Sequence, residues 1–100
     1  MANYLILVDK TTKSVVSMRE VDKEICALLD IPQDDKYCGG KYGGYDWYDT
    51  IGYQLASGKT YDQVRLFYAK STICYDSLHW LMKCINYLEE KYESKNYYSY

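Results

Sequence analysis

Residues 73 to 94 read ICYDSLHWLMKCINYLEEKYES, and this stretch decides the fold. Leu78, Leu81, Ile85, Leu88 and Tyr92 recur three and four positions apart, the spacing that lays an apolar stripe along one side of an α-helix. A long amphipathic helix predicted from about Ile73 to Ser94 needs a second layer to bury that stripe. The opposite end of the chain offers one. Tyr4 to Val8 (YLILV) is short, apolar and rich in branched side chains, and Val15 to Glu20 mixes branched and polar residues after the polar stretch Asp9 to Ser14. This pattern predicts a β-hairpin with a longer loop. An isolated hairpin is marginal in water, so helices are expected to cover one of its faces.

Between these two ends the sequence predicts shorter helices. Asp22 is a good N-cap for a helix from about Lys23 to Asp30, with Ile25, Leu28 and Leu29 on one face and Pro32 beyond its end. Gln33 to Gly44 keeps no periodicity and reads as a loop. Asp46 can cap a second helix carrying Trp47, Ile51 and Leu55, with Gly58 placed where a C′ glycine belongs. Thr60 and Gln63 form a capping-box pattern for a third helix bearing Val64, Phe67 and Tyr68. Asn96 to Tyr100 is expected to be a frayed tail. The expected fold class is α+β: one domain over residues 1–100, an N-terminal β-hairpin packed on three to four helices with the C-terminal helix as the spine.

Composition narrows the function classes more than it selects one. Twelve basic and fourteen acidic residues leave a net charge of -2, which nominates neither a nucleic-acid binder nor a DNA mimic. No segment approaches the roughly 20 apolar residues of a membrane span, and Met-Ala-Asn-Tyr lacks a basic n-region, so the expectation is a cytoplasmic protein with no membrane partner. Cys26, Cys38, Cys74 and Cys84 are expected to be free thiols there. No C-x2-C pair exists, and Cys74, His79 and Cys84 step about 140° each time around a helix, so neither a metal nor another cofactor is expected. Fourteen tyrosines stand against one phenylalanine, Phe67. AT-rich coding would raise both, so the ring with a hydroxyl is favoured, either as a recognition surface or as half-buried packing.

Three constellations bear on chemistry. Gly39-Gly40-Lys41-Tyr42-Gly43-Gly44 matches neither the dinucleotide fingerprint nor the P-loop. Within it, Gly40 to Gly43 spells G-x-x-G between two predicted helices and resembles the backbone clamp of KH domains, a likeness of four residues that implies single-stranded nucleic acid. A surface loop shaped for a protein partner, using Lys41, Tyr42 and the adjacent Tyr45, is the competing reading. His79 is the single histidine, and no Ser or Cys is presented to it from a nucleophile elbow, so catalysis is not expected. On the long helix, with Ile85 at zero, Trp80 falls at about -140°, Lys83 at about 160° and Tyr87 at about -160°. Two large aromatics on the side opposite the core stripe point to a contact surface or to a second packed layer, and we read them with Lys83 as a contact surface.

In overall look the chain is lysine- and tyrosine-rich, has one proline and carries no recognisable motif. It resembles the small accessory proteins that bacteriophages encode to inhibit host or antiviral enzymes, a likeness of class that covers no motif. That likeness implies a non-enzymatic, protein-binding inhibitor working by steric blockade or sequestration. The expected partner-binding residues are Trp80, Lys83, Tyr87, Lys41, Tyr42 and Tyr45. A homodimer formed through open hairpin edges, Tyr4 to Val8 or Val15 to Met18, is a further expectation. The alternative is a single-stranded nucleic-acid module built on the glycine loop and stacked tyrosines.

Overall fold

The computed structural model describes residues 2–31, 46–71 and 75–99. In chain order the elements are β1 (Ala2–Asp9), β2 (Val15–Val16), α1 (Met18–Leu29), a π-helical turn (Tyr48–Gly52) running into α2 (Tyr53–Ala56), α3 (Tyr61–Ala69), α4 (Tyr75–Lys91) and β3 (Tyr92–Ser99). This is the α+β arrangement expected, a hairpin packed on helices with α4 as its longest element.

The hairpin turn is fixed locally. Asp9 Oδ1 accepts from the backbone N–H groups of Thr11 and Thr12 at 2.8 and 3.0 Å, and Lys13 takes a left-handed φ of 61° to bring Ser14 opposite Asp9. Leu7 then pairs with Val16 and Val8 with Val15. Along β1, Leu5 and Leu7 are buried toward the helices, while Tyr4 on the other face is exposed, as a period of two requires.

β3 is the largest departure from the sequence reading. The helix stops at Lys91, and Tyr92 to Ser99 forms a strand antiparallel to β1, from Asp9↔Tyr92 to Ala2↔Ser99. The tail expected to fray therefore completes a sheet of order β2-β1-β3. β1 is central: β3 pairs its whole length on one side, and on the other β2 pairs Leu7 and Val8, which narrows the expected open edge at Tyr4 to Val8 to the residues before Leu7. β2 holds only two residues, and Met18 already belongs to α1, so the second expected edge is too short to template a strand. The β3 edge is guarded at its start, where Tyr61 Oη donates to the Tyr92 carbonyl at 2.9 Å.

The caps explain where the helices begin and end. α1 starts a turn earlier than expected because Ser17, not Asp22, is its N-cap, accepting from Glu20 N at 3.2 Å. Asp22 instead lies inside the helix and accepts from Trp47 Nε1 at 3.3 Å. Asp30 closes α1 in the left-handed region and Ile31 N–H returns to the Cys26 carbonyl at 2.9 Å. Asp46 accepts from Tyr48 N at 3.0 Å at the head of the next helical segment. Gly58 follows α2 with φ 100°, the positive angle that suits glycine at C′. Gly52 has a different reason: a Cβ there would come within 2.8 Å of the Tyr48 ring. Thr60 and Gln63 form the reciprocal capping box that the sequence predicted for α3.

One core joins these layers. Leu5 and Leu7 from β1, Val21, Ile25 and Leu29 from α1, Trp47, Ile51 and Leu55 from the second helical segment, Val64 and Tyr68 from α3, and Trp80, Leu81, Cys84, Ile85 and Leu88 from α4 pack together. Cys26 and Cys84 are buried and form no disulfide, and burial pushes the Cys84 thiol up to about 12. No helix among the described residues is long and apolar enough to cross a membrane.

Candidate functional site

α4 is covered on two flanks, and this decides the fate of the sequence-predicted surface. Leu81, Ile85, Leu88 and Tyr92 are buried as the stripe required. Trp80, however, is only 1 % exposed, and its neighbour one turn on, Cys84, is fully buried. The buried arc of α4 therefore reaches from about 0° round to about -140°, past the angle at which a monomer helix usually becomes wet. Trp80 belongs to a second packed layer and is not available to a partner. Tyr87 is half-buried against α1, and Lys83 is exposed. The three residues do not form one surface. Lys41, Tyr42 and Tyr45, with the whole glycine loop, lie outside the described residues.

The flank of α4 facing α1 is closed by a carboxylate shared among three donors. Glu24 accepts from Tyr87 Oη at 2.6 Å, from Lys91 Nζ at 3.0 Å, and from Tyr92 Oη, which lies 2.8 and 2.7 Å from its two oxygens. Burial pushes the Glu24 carboxyl up, but the hydrogen bonds from Tyr87, Tyr92 and Lys91 outweigh it and hold the group below its usual value. Burial together with the adjacent carboxylate raises Tyr92 and Tyr87, and the Glu24 hydrogen bond raises Lys91. The other flank is tied to α3. Arg65 reaches Glu89 at 2.5 Å and Asn86 at 2.9 and 3.1 Å while bonding Asp62 on its own helix at 2.7 Å. Both clusters are internally satisfied, and each clamps α4 to a neighbouring helix.

Fixing Arg65, Val64 and Tyr68 inward turns the other side of α3 to solvent. Gln63, Leu66, Phe67 and Lys70 follow at i, i+3, i+4 and i+7, so they share a face. Leu66 is 54 % and Phe67 46 % exposed, side by side. Of the three apolar residues that the sequence sets on this helix, Val64 and Tyr68 are buried and Phe67 is left out. Lys59, just before the helix, lies with its Nζ 4.3 Å from the Phe67 ring centroid, a cation–π contact, and Tyr68 meets the same ring edge-on at 5.1 Å. Lys59, Gln63, Leu66, Phe67 and Lys70 line an open depression of about 340 Å³. No carboxylate lines it, and neither lysine forms an ion pair among the described residues.

The remaining polar groups offer little chemistry. His79 sits on the wet side of α4, and among the described residues no group of three His, Cys, Asp or Glu side chains converges as a metal site would. No protein-family model, curated protein or solved structure matches this chain. The α3 face was legible in principle: Leu66 and Phe67 stand three and four residues after Gln63, away from the Val64–Tyr68 pair. The missing information was which of two apolar stripes on one short helix meets the core.

Proposed function

We propose that this chain is a non-catalytic protein-binding domain that acts stoichiometrically, by occupying a surface of its partner through α3. The observation that carries this reading is the pairing of Leu66 and Phe67 on an exposed helix face beside two lysines. Large apolar side chains gathered on one face of a surface helix are what interfaces use as anchors. The polar clusters around Glu24 and Arg65 support it from the other side, since they are spent on holding helices together and present no nucleophile and base.

A domain of this kind does no chemistry on its partner; it blocks or sequesters. Inhibition of a host or antiviral enzyme, the mode implied by the likeness to small phage accessory proteins, is the form of that activity we favour. The test compares two baits in extracts of the cell that makes the protein, the native chain and the Leu66→Ser/Phe67→Ser variant, with the captured proteins quantified. A protein held by the native bait in near-equimolar amount and reduced at least tenfold on the variant supports the reading. Equal capture by both baits, or none by either, contradicts it.

A further inference from the structure

Resting on the reading of α3 as a protein-binding face, we infer that its occupant is an acidic peptide segment carrying apolar side chains. The groove has a sign that the chain as a whole lacks. The protein is acidic, with net charge -2, yet Lys59 and Lys70 both line this depression and no Asp or Glu does. Three other described cations are engaged with carboxylates: Arg65 with Glu89 and Asp62, Lys91 with Glu24, and Lys23 with Glu20. Lys59 and Lys70 keep their ammonium groups without a carboxylate among the described residues, Lys59 over the ring of Phe67. A partner that buries Leu66 and Phe67 must bring apolar atoms to them. It must also leave the two ammonium groups hydrated or give them anions, and supplying anions is the cheaper arrangement.

The same geometry argues against the two other anionic partners. A nucleic acid or an anionic bilayer brings a continuous field of negative charge, which two lysines on an acidic protein would meet only weakly. Stable attachment to a bilayer also takes more than one apolar pair. A peptide can place two carboxylates at two points and apolar side chains between them. Complementarity of this kind sets specificity and association rate more than affinity, so the interaction should weaken with salt while the apolar contact persists.

The chemistry of the occupant can be read directly by selection. A random 16-residue peptide library is panned against the native chain and against Lys59→Glu/Lys70→Glu, whose folding is checked by thermal melt. The native chain is expected to enrich peptides with Asp or Glu flanking Leu, Phe or Trp, which bind at least tenfold more weakly to Phe67→Ala and lose affinity between 50 and 500 mM salt. The doubly reversed chain is expected to enrich Lys and Arg at the flanking positions instead. Selection of uncharged or basic peptides by the native chain, failure to enrich any, or tighter binding to phosphatidylserine vesicles or to an oligonucleotide than to the selected peptides would overturn the inference. If baits from cells lose a partner on Leu66→Ser/Phe67→Ser while the library shows no acidic preference, the protein-binding reading stands and only the chemistry assigned to the occupant falls.

Discussion

The hydroxyl of Tyr92 lies within hydrogen-bond distance of both oxygens of Glu24, at 2.8 and 2.7 Å, joining the first residue of β3 to the middle of α1. Through Tyr87 and Lys91 the same carboxylate also holds the last turns of α4. Glu24→Gln keeps one acceptor but loses the charge, and about 2 kcal/mol of stability is expected to go with it. Glu24 is held below its ordinary value of 4.5, so the folded state binds fewer protons at this site than the unfolded one. Its contribution is complete above that value and is lost as pH falls through the folded pKa. Chemical denaturation from pH 7 down to pH 3 should show a steeper acid loss for the native chain than for Glu24→Gln. Parallel curves would show that Glu24 is not the linked group. Tyr92, Tyr87 and Lys91 are raised, so their share is present below about pH 10 and is lost as pH rises beyond it.

Trp80→Ala is expected to destabilise the fold by about 3 to 5 kcal/mol, because it empties a fully enclosed site between α4 and its neighbours. Thermal melting decides this. A loss below about 0.5 kcal/mol, the usual range for surface changes, would return Trp80 to the surface.

Removing residues 93–100 deletes all of β3 but Tyr92 and leaves β1, with its row of unpaired backbone groups, as an eight-residue edge. The truncated chain should lose its cooperative melt and associate. An unchanged melting temperature would mean that the strand pairing contributes nothing.

Gly58→Ala tests a single backbone angle. With φ at 100° and only an ordinary contact to the Asn96 side chain at 3.5 Å, the cost is conformational, about 1 kcal/mol or more by denaturant titration. A neutral substitution would mean that the turn after α2 relaxes freely.

The elements legible in the sequence were those whose signal is local. The capping box at Thr60 and Gln63, the glycine at position 58 and the stripe Trp47, Ile51, Leu55 are decided within a few residues, and the structure has them. β3 was not legible because nothing near Tyr92 to Ser99 announces it. Its inward positions Ser94 and Asn96 are polar, no turn separates it from α4, and its pairing partner is the far end of the chain. The reading of Trp80 failed for a related reason. Periodicity locates one buried stripe on a helix but is silent on how many neighbours surround it. Here α1, reached through Glu24, and α3, reached through Arg65, take both flanks. Periodicity is equally silent on α3, where Val64 and Tyr68 are buried and Phe67 lies out.

The central claim, that the Leu66–Phe67 face of α3 meets another protein, is tested most directly by placing a photoreactive benzoylphenylalanine at position 67 and, as a control, at exposed Lys23 on α1. After irradiation in the cell that makes the protein, position 67 should give one discrete adduct heavier than the 11.8 kDa chain, containing a second polypeptide, and position 23 should not. Irradiation that leaves only the 11.8 kDa species at position 67, or the same adducts from both positions, would contradict the account.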